Sequence, residues 1–234
     1  MKHLDFSDIF PWSPDTRTIW RYYGAYSPLI EVQNRITLDE GGTPLSSFHE
    51  LAKELNLISF YFKREDLNPT GSQKDRCAAY QISWARQFNH SIVTISSSGN
   101  AAISTAAYCA RAGVNLIAHI SPQTNPQKIA RIQDFGATVL VSDEPIKNAR
   151  YTEKVHGIPN LRPSTNLVAI EGYKSIGYEI LEARIPVDAI FLYVSSASTL
   201  VGIAEAFATY QRKNPEYTMP QLHAVQAGLV SSLA

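Results

Sequence analysis

"SIVTISSSGNAAISTAAYCARAGVNLIAHI", residues 91–120, passes through three chemical regimes without a linker between them. Residues 91–96 are β-branched and apolar, which reads as a buried strand. Small polar residues follow in "SSGN". The run "AAISTAAYCARA" (101–112) then sets apolar side chains at helical spacing, and Gly113 supplies the left-handed residue that closes a helix. "VNLIAHI" (114–120) is a second apolar strand. Parallel strands need a crossover long enough to hold a helix, so this succession specifies a βαβ unit.

The pattern extends in both directions. Downstream, "NPQKIARIQDFG" (125–136) is a helix with Asn125 as N-cap, Pro126 at its first position and Gly136 at its end. "ATVLVS" (137–142) is a third strand. After a looser stretch around "NLRPST" (160–165) come a helix from "EGYKSIGYEILEA" (171–183), a strand "AIFLYV" (189–194), a loop "SSAST" (195–199), a helix "LVGIAEAFATYQR" (200–212) and a strand "LHAVQ" (222–226). Upstream, "LISFYF" (57–62) reads as a strand and "SQKDRCAAYQISWARQF" (72–88) as a helix, with Ser72 and Asp75 as a capping box. The expected class is α/β, with parallel sheets and helices on their faces.

Composition narrows the function classes. Apolar residues make up 44% and charged residues 18%, as in globular proteins. Lys plus Arg and Asp plus Glu number 21 each, so no net charge points to nucleic acid or an anionic membrane as a partner. No apolar run is long enough to span a bilayer, and "MKHLDFSDIF" lacks a signal-peptide core, so the expected compartment is the cytoplasm. Cys77 and Cys109 sit in apolar helical patterns and read as buried thiols. The six histidines are scattered, so no metal site is expected, and His119 reads as a strand residue with a satisfied ring. "WRYYGAY" (20–26) reads as packing or a dimer contact rather than a nucleic-acid surface.

Three loops fall at the carboxyl ends of strands, where open α/β sheets bind ligands: "NPTGSQK" (68–74), "SSSGN" (96–100) and "SSAST" (195–199). Small residues let backbone amides approach a ligand, and helix N-termini favour anions. Lys74 stands out because a cation in the first turn of a helix opposes the macrodipole. The same field favours the free amine, the form an imine-forming lysine needs.

These stretches resemble one family. "NPTGSQKDR" is similar to the "NPTGSFKDR" signature of threonine synthase and its relatives, the fold-type II pyridoxal-phosphate enzymes. "EGGTPL" (40–45), "SSSGNAA" (96–102), "KIARIQDFGA" (128–137) and "EGYKSIGYEI" (171–180) resemble further signatures in the same order. The resemblance implies a tryptophan synthase beta-like fold of two three-layer αβα subdomains. Residues 1–89 would begin the larger, cofactor-binding subdomain, 90–150 would form the smaller one, and 151–234 would resume the larger one, incomplete at its C-terminus. It implies pyridoxal 5'-phosphate as cofactor, held covalently by Lys74, which would also move protons at the substrate carbons. Asn100 would bond the phenolic oxygen of the cofactor ring, and Ser195, Ser196, Ala197, Ser198 and Thr199 would wrap its phosphate. Ser97, Ser98 and Gly99 would receive the carboxylate of a small amino-acid substrate. A full-length chain would be a homodimer with threonine synthase-like lyase activity. A threonine dehydratase-like or cysteate synthase-like enzyme, or a homologue that keeps the fold without activity, is the alternative.

Three departures from the pattern bear on this reading. "SSAST" lacks the glycines usual in the phosphate loop, so any position there requiring positive φ would be strained. Ala169 stands where threonine synthases carry an arginine for the substrate phosphate, and Tyr173 replaces a glutamine. Relatives also continue beyond the position of Ala234 with a segment that supplies the partner of the pyridine nitrogen.

Overall fold

The computed structural model describes residues 5–228. Residues 1–4 and 229–234, and with them the ends of the first and last expected sections, lie outside the described residues. In chain order the elements are β1 (Leu45–Ser47), α1 (His49–Glu54), β2 (Tyr61–Lys63), α2 (Lys74–Gln87), β3 (Ile92–Ser96), α3 (Asn100–Ala112) and β4 (Asn115–Ile120). They continue with α4 (Pro126–Asp134), β5 (Thr138–Val141), α5 (Pro145–His156), α6 (Val168–Glu182), β6 (Ala189–Tyr193), α7 (Ser198–Lys213) and β7 (Gln221–Val225).

The central stretch folds as its pattern demands. β3, β4 and β5 form a parallel sheet in that order, with Ile92 opposite Asn115 and Ile117 opposite Thr138. Gly113 adopts φ 68° at the end of α3, and the Asn125 side chain accepts from the Gln127 amide at the start of α4. Residues 159–161 run parallel beside β3: the Thr94 amide donates to Pro159 O at 2.9 Å and the Leu161 amide to Thr94 O at 2.8 Å. The chain that follows, Arg162 to Ser164, therefore emerges at the same end of the sheet as the loop after β3. β6 and β7 pair in parallel and β1 and β2 antiparallel, each as a separate two-stranded sheet among the described residues.

Several local expectations are corrected. Of "LISFYF", only Tyr61 and Phe62 are in a strand, which runs on to Lys63, and Ile58 is fully exposed. Helix α2 starts at Lys74, not at Ser72, and the capping box does not form. Asp75 turns instead to Thr70, accepting from its amide at 2.6 Å and from its hydroxyl. The short turn "NPTG" holds that geometry through Gly71, at φ 93°. Helices α1 and α5 had no counterpart in the pattern reading. In "WRYYGAY", Trp20, Tyr22 and Tyr26 are buried, with the Trp20 indole bonded to Ile36 O and the Tyr26 hydroxyl to Ile19 O. The cluster is packing.

Helix α2 lies between α3 and α6, and α6 packs in turn on α7. Close approach of α6 to α2 is possible because residue 172 is glycine: a Cβ there would lie 2.1 Å from Arg76 O. Arg76 itself is fully buried. Its guanidinium is bidentate to Glu65 (2.7 Å from both Nε and Nη2) and to Glu179 of α6 (2.6 and 2.8 Å), with further bonds to Ser175 and Thr43. Lys63 adds a second cation, 2.5 Å from Glu179.

This network sets an acid limit on stability. Burial pushes the Glu179 carboxyl up, but the Arg76 and Lys63 charges outweigh it and hold it at about 2, below its ordinary 4.5. A depressed carboxylate contributes stability that is complete above the unfolded value and is lost as pH falls through the folded one. The contribution should therefore vanish between about pH 4.5 and 2, and its size is about 3 kcal/mol. Glu179→Gln should lower stability at pH 7 by that order and flatten the fall in Tm between pH 4.5 and 2. Parallel Tm–pH curves for the two proteins would show that the network does not act this way.

Candidate functional site

The three loops converge. Lys74 from the first, Ser96 to Gly99 from the second, and Ser195 and Ser196 from the third line one cavity of about 360 Å³. His119 and Ser121 at the end of β4, Pro145 and Ile146 at the start of α5, and Arg162 to Ser164 complete the wall. None of the lining residues is acidic. The N-termini of α3 and α7 face the same space, and both carry partial positive charge. Cations, hydroxyls and helix N-termini without a carboxylate form a site for anions.

Lys74 is the chemical centre of this wall. Its amine donates to the Tyr173 hydroxyl at 3.1 Å and sits 5.2 Å from the centre of that ring. Burial lowers its pKa, with only the Cys77 thiol opposing. The main cause of the lowered pKa is thus desolvation, with the helix field acting in the same direction. Tyr173 is fully buried, with Cys77 and Thr199 beside its hydroxyl. The Cys77 thiol, pushed by burial up to about 12, donates to Gln81, whose amide reaches Leu161 O. Tyr173, one of the residues that depart from the family pattern, therefore touches the lysine.

The expected site residues divide into two groups. Lys74, Ser97, Ser98, Gly99, Ser195 and Ser196 share the cavity. At Gly99 a Cβ would meet no protein atom within 4 Å, so glycine leaves open space there. Asn100 is exposed at the first position of α3 and is not part of the wall. Ala197 is the N-cap of α7, the Ser198 hydroxyl donates to Pro163 O at 2.7 Å, and Thr199 is buried against Tyr173. None of residues 195–199 adopts positive φ, so the loop does without glycine unstrained. His119 is the strand residue with a satisfied ring that the pattern implied, bonded to Thr152 at 3.1 Å, but pattern reading did not place it, or Arg162, in the cavity wall. Nothing local marks either one; the pairing of residues 159–161 with β3 brings Arg162 in.

Other charged candidates are structural. Glu171 accepts from the Ser27 amide and pairs with Lys174 at 2.7 Å, and Lys174 also pairs with Glu205 at 3.0 Å. Cys77 and Cys109 are buried free thiols. Among the described residues no cluster of metal-ligating side chains occurs, and no helix is long and apolar enough to cross a membrane.

Comparison with known proteins identifies the family of the chain. Residues 36–234 match a family described as "Pyridoxal-phosphate dependent enzyme". The chain is 31% identical to a threonine synthase of Methanocaldococcus jannaschii, over 89% of this chain and 53% of that protein. It is 30% identical to a threonine synthase from a Bacillus species, over 88% of this chain and 60% of that protein. The chain thus spans about half the length of the curated relatives it matches. Among solved structures it is similar to threonine deaminase isoform 2 from Solanum lycopersicum, with a TM-score of 0.69, 25% identity and coverage of 79% of this chain and 50% of that one.

The Lys74–Tyr173 contact is open to a direct measurement. The phenol oxygen accepts a hydrogen bond from the amine, and this favours the charged form. Tyr173→Phe should therefore move the pH midpoint of Lys74 reactivity toward trinitrobenzenesulfonate down by about one unit, with the fold retained. Peptide mapping across a pH series reads this out, and an unchanged midpoint would show that the hydroxyl does not act on the amine.

Proposed function

The chain belongs to the pyridoxal-phosphate-dependent enzyme family, and from that premise we propose that its protein is a carbon–oxygen lyase of amino-acid metabolism, threonine synthase-like in reaction. The substrate would be a small amino acid that undergoes elimination or replacement at its β and γ carbons, O-phosphohomoserine being the type case. One observation carries the reading: a lysine amine whose pKa is lowered by burial, bonded to Tyr173, in a cavity without acids.

The residues present suit pyridoxal phosphate. When bound, the cofactor supplies an electron sink for carbanion chemistry. Lys74 would hold it covalently, and Ser195 and Ser196 would bond its phosphate ahead of α7. Ser97, Ser98 and Gly99 at the start of α3 would orient the substrate carboxylate on hydroxyls and backbone amides. Asn100, exposed one residue further on and outside the wall, would reach the phenolic oxygen only by turning toward the cavity. The Lys74 amine, its pKa lowered by burial, would take a proton from one substrate carbon and return it to the next. The Tyr173 hydroxyl would hold that amine in place between transfers. The acid-free wall leaves an incoming carboxylate or phosphate unopposed.

Two experiments address this reading. The purified chain should turn yellow with pyridoxal phosphate, and borohydride should then fix pyridoxyl to the peptide carrying Lys74. Lys63 and Lys174 are held in ion pairs and should stay unlabelled. A colourless protein, or label on those lysines, would sink the assignment. Lys74→Ala should abolish cofactor capture and turnover of O-phosphohomoserine while leaving the fold intact. Separately, Ala169 is fully buried in the core and does not line the cavity. Ala169→Arg should therefore destabilise the protein rather than rescue a phosphate contact, because it buries an unpaired charge. A clear drop in Tm is the expected result, and faster turnover of the phosphorylated substrate would overturn it.

A further inference from the structure

Arg162 is the unmatched cation of the cavity. The fully buried Arg76 has Glu65 and Glu179, and the half-buried Arg21 has Glu182. Arg162 is half-buried, and its side chain has one bond, from Nε to the Ser164 hydroxyl at 2.7 Å. Among the described residues it forms no ion pair, and its terminal nitrogens have no protein acceptor. Its backbone is fixed on both sides. The Leu161 amide pairs with Thr94 of β3, the Arg162 amide donates to Asn160 Oδ1 at 3.2 Å, and Pro163 O receives the Ser198 hydroxyl from α7. The guanidinium thus stands on a segment braced between the two helix N-termini, in the same wall as Lys74.

We propose that Arg162 receives a second anionic group, phosphate or carboxylate, on the amino acid that this site takes, in place of the arginine absent at position 169. The proposal rests on the functional reading above and narrows its substrate class to amino acids with an acidic or phosphorylated side chain. A guanidinium offers planar paired donors to either anion, which a serine or an amide cannot match. Burial and, after it, the neighbouring Arg150 charge lower the pKa of Arg162. Both disfavour a lone cation, and an arriving anion relieves both. The cofactor phosphate is the other possible source of such an anion, and the test separates the two.

Calorimetry on the chain loaded with pyridoxal phosphate would use three probes: L-glutamate, its phosphonate analogue and L-norvaline. The two acidic probes should bind more tightly than norvaline. Arg162→Gln should weaken them by roughly 10- to 100-fold and leave norvaline within about a factor of two, while Arg162→Lys keeps part of the preference. Persistence of the preference in Arg162→Gln, or an equal loss for norvaline, would overturn the proposal. So would weaker pyridoxal-phosphate uptake in that variant with the preference intact, because Arg162 would then serve the cofactor. If the chain takes up no cofactor, the functional reading fails by itself. The phosphonate titrated into the cofactor-free chain then decides about Arg162, with binding lost in Arg162→Gln as the supporting result and equal or absent binding in both proteins as the contrary one.

Discussion

Arg76 is the fixed point of this structure. A guanidinium with no solvent exposure cannot remain without partners, since an unpaired buried charge costs several kcal/mol. It therefore gathers Glu65 from the segment after β2, Thr43 from the segment before β1, and Ser175 and Glu179 from α6. Arg76 is two residues beyond Lys74, in the same first turn of α2. Fixing one side chain to α6 fixes the other against it. Gly172 permits the helices to approach until backbone meets backbone, and Tyr173, the next residue, is thereby placed over the lysine amine.

The electrostatics of the cavity follow from the same arrangement. The acids near α2 are consumed by Arg76 and Lys63, and Asp75 is turned back onto Thr70. The cavity itself is left with Lys74, Arg162, hydroxyls and two helix N-termini. In such a place desolvation acts on cations alone: it keeps the lysine amine available and leaves the arginine in want of an anion. A nucleophilic amine and an anion site are then two results of one charge distribution.

The comparisons place the chain in a pyridoxal-phosphate-dependent family, with similar proteins named as threonine synthases and a threonine deaminase. What separates those reactions is the wall around the lysine rather than the lysine. Besides the glycine-free loop at 195–199, two residues of α6 differ from the family pattern that the sequence resembles, Tyr173 and Ala169. One touches the amine, and the other is buried away from the cavity. Distance from the amine, not departure from a motif, decides which of the two concerns the chemistry.

The alternation of strands and helices, the helix ends at Asn125 and Gly113, and the three small-residue loops were all legible in the sequence. They depend on nearest neighbours, periodicity and backbone φ, which a linear string carries. Lys74 was legible for the same reason, being an unfavourable residue for its position in a helix. What the string could not carry was partnership across the fold. Asp75 looked like a cap for its own helix and serves Thr70 instead, because that turn brings Thr70 within reach. Helix α5, with Pro145 at its start and Gly157 at its end, was hidden because it presents only a narrow apolar face, buried at Ala149 and Thr152. Arg162 sat in a stretch without a pattern, and only its pairing beside β3 turned it toward the lysine. Local chemistry determined the elements and the reactive amine. The tertiary structure alone decided which charges found partners and which one was left facing the cavity, since that depends on residues far apart in sequence competing for the same buried space.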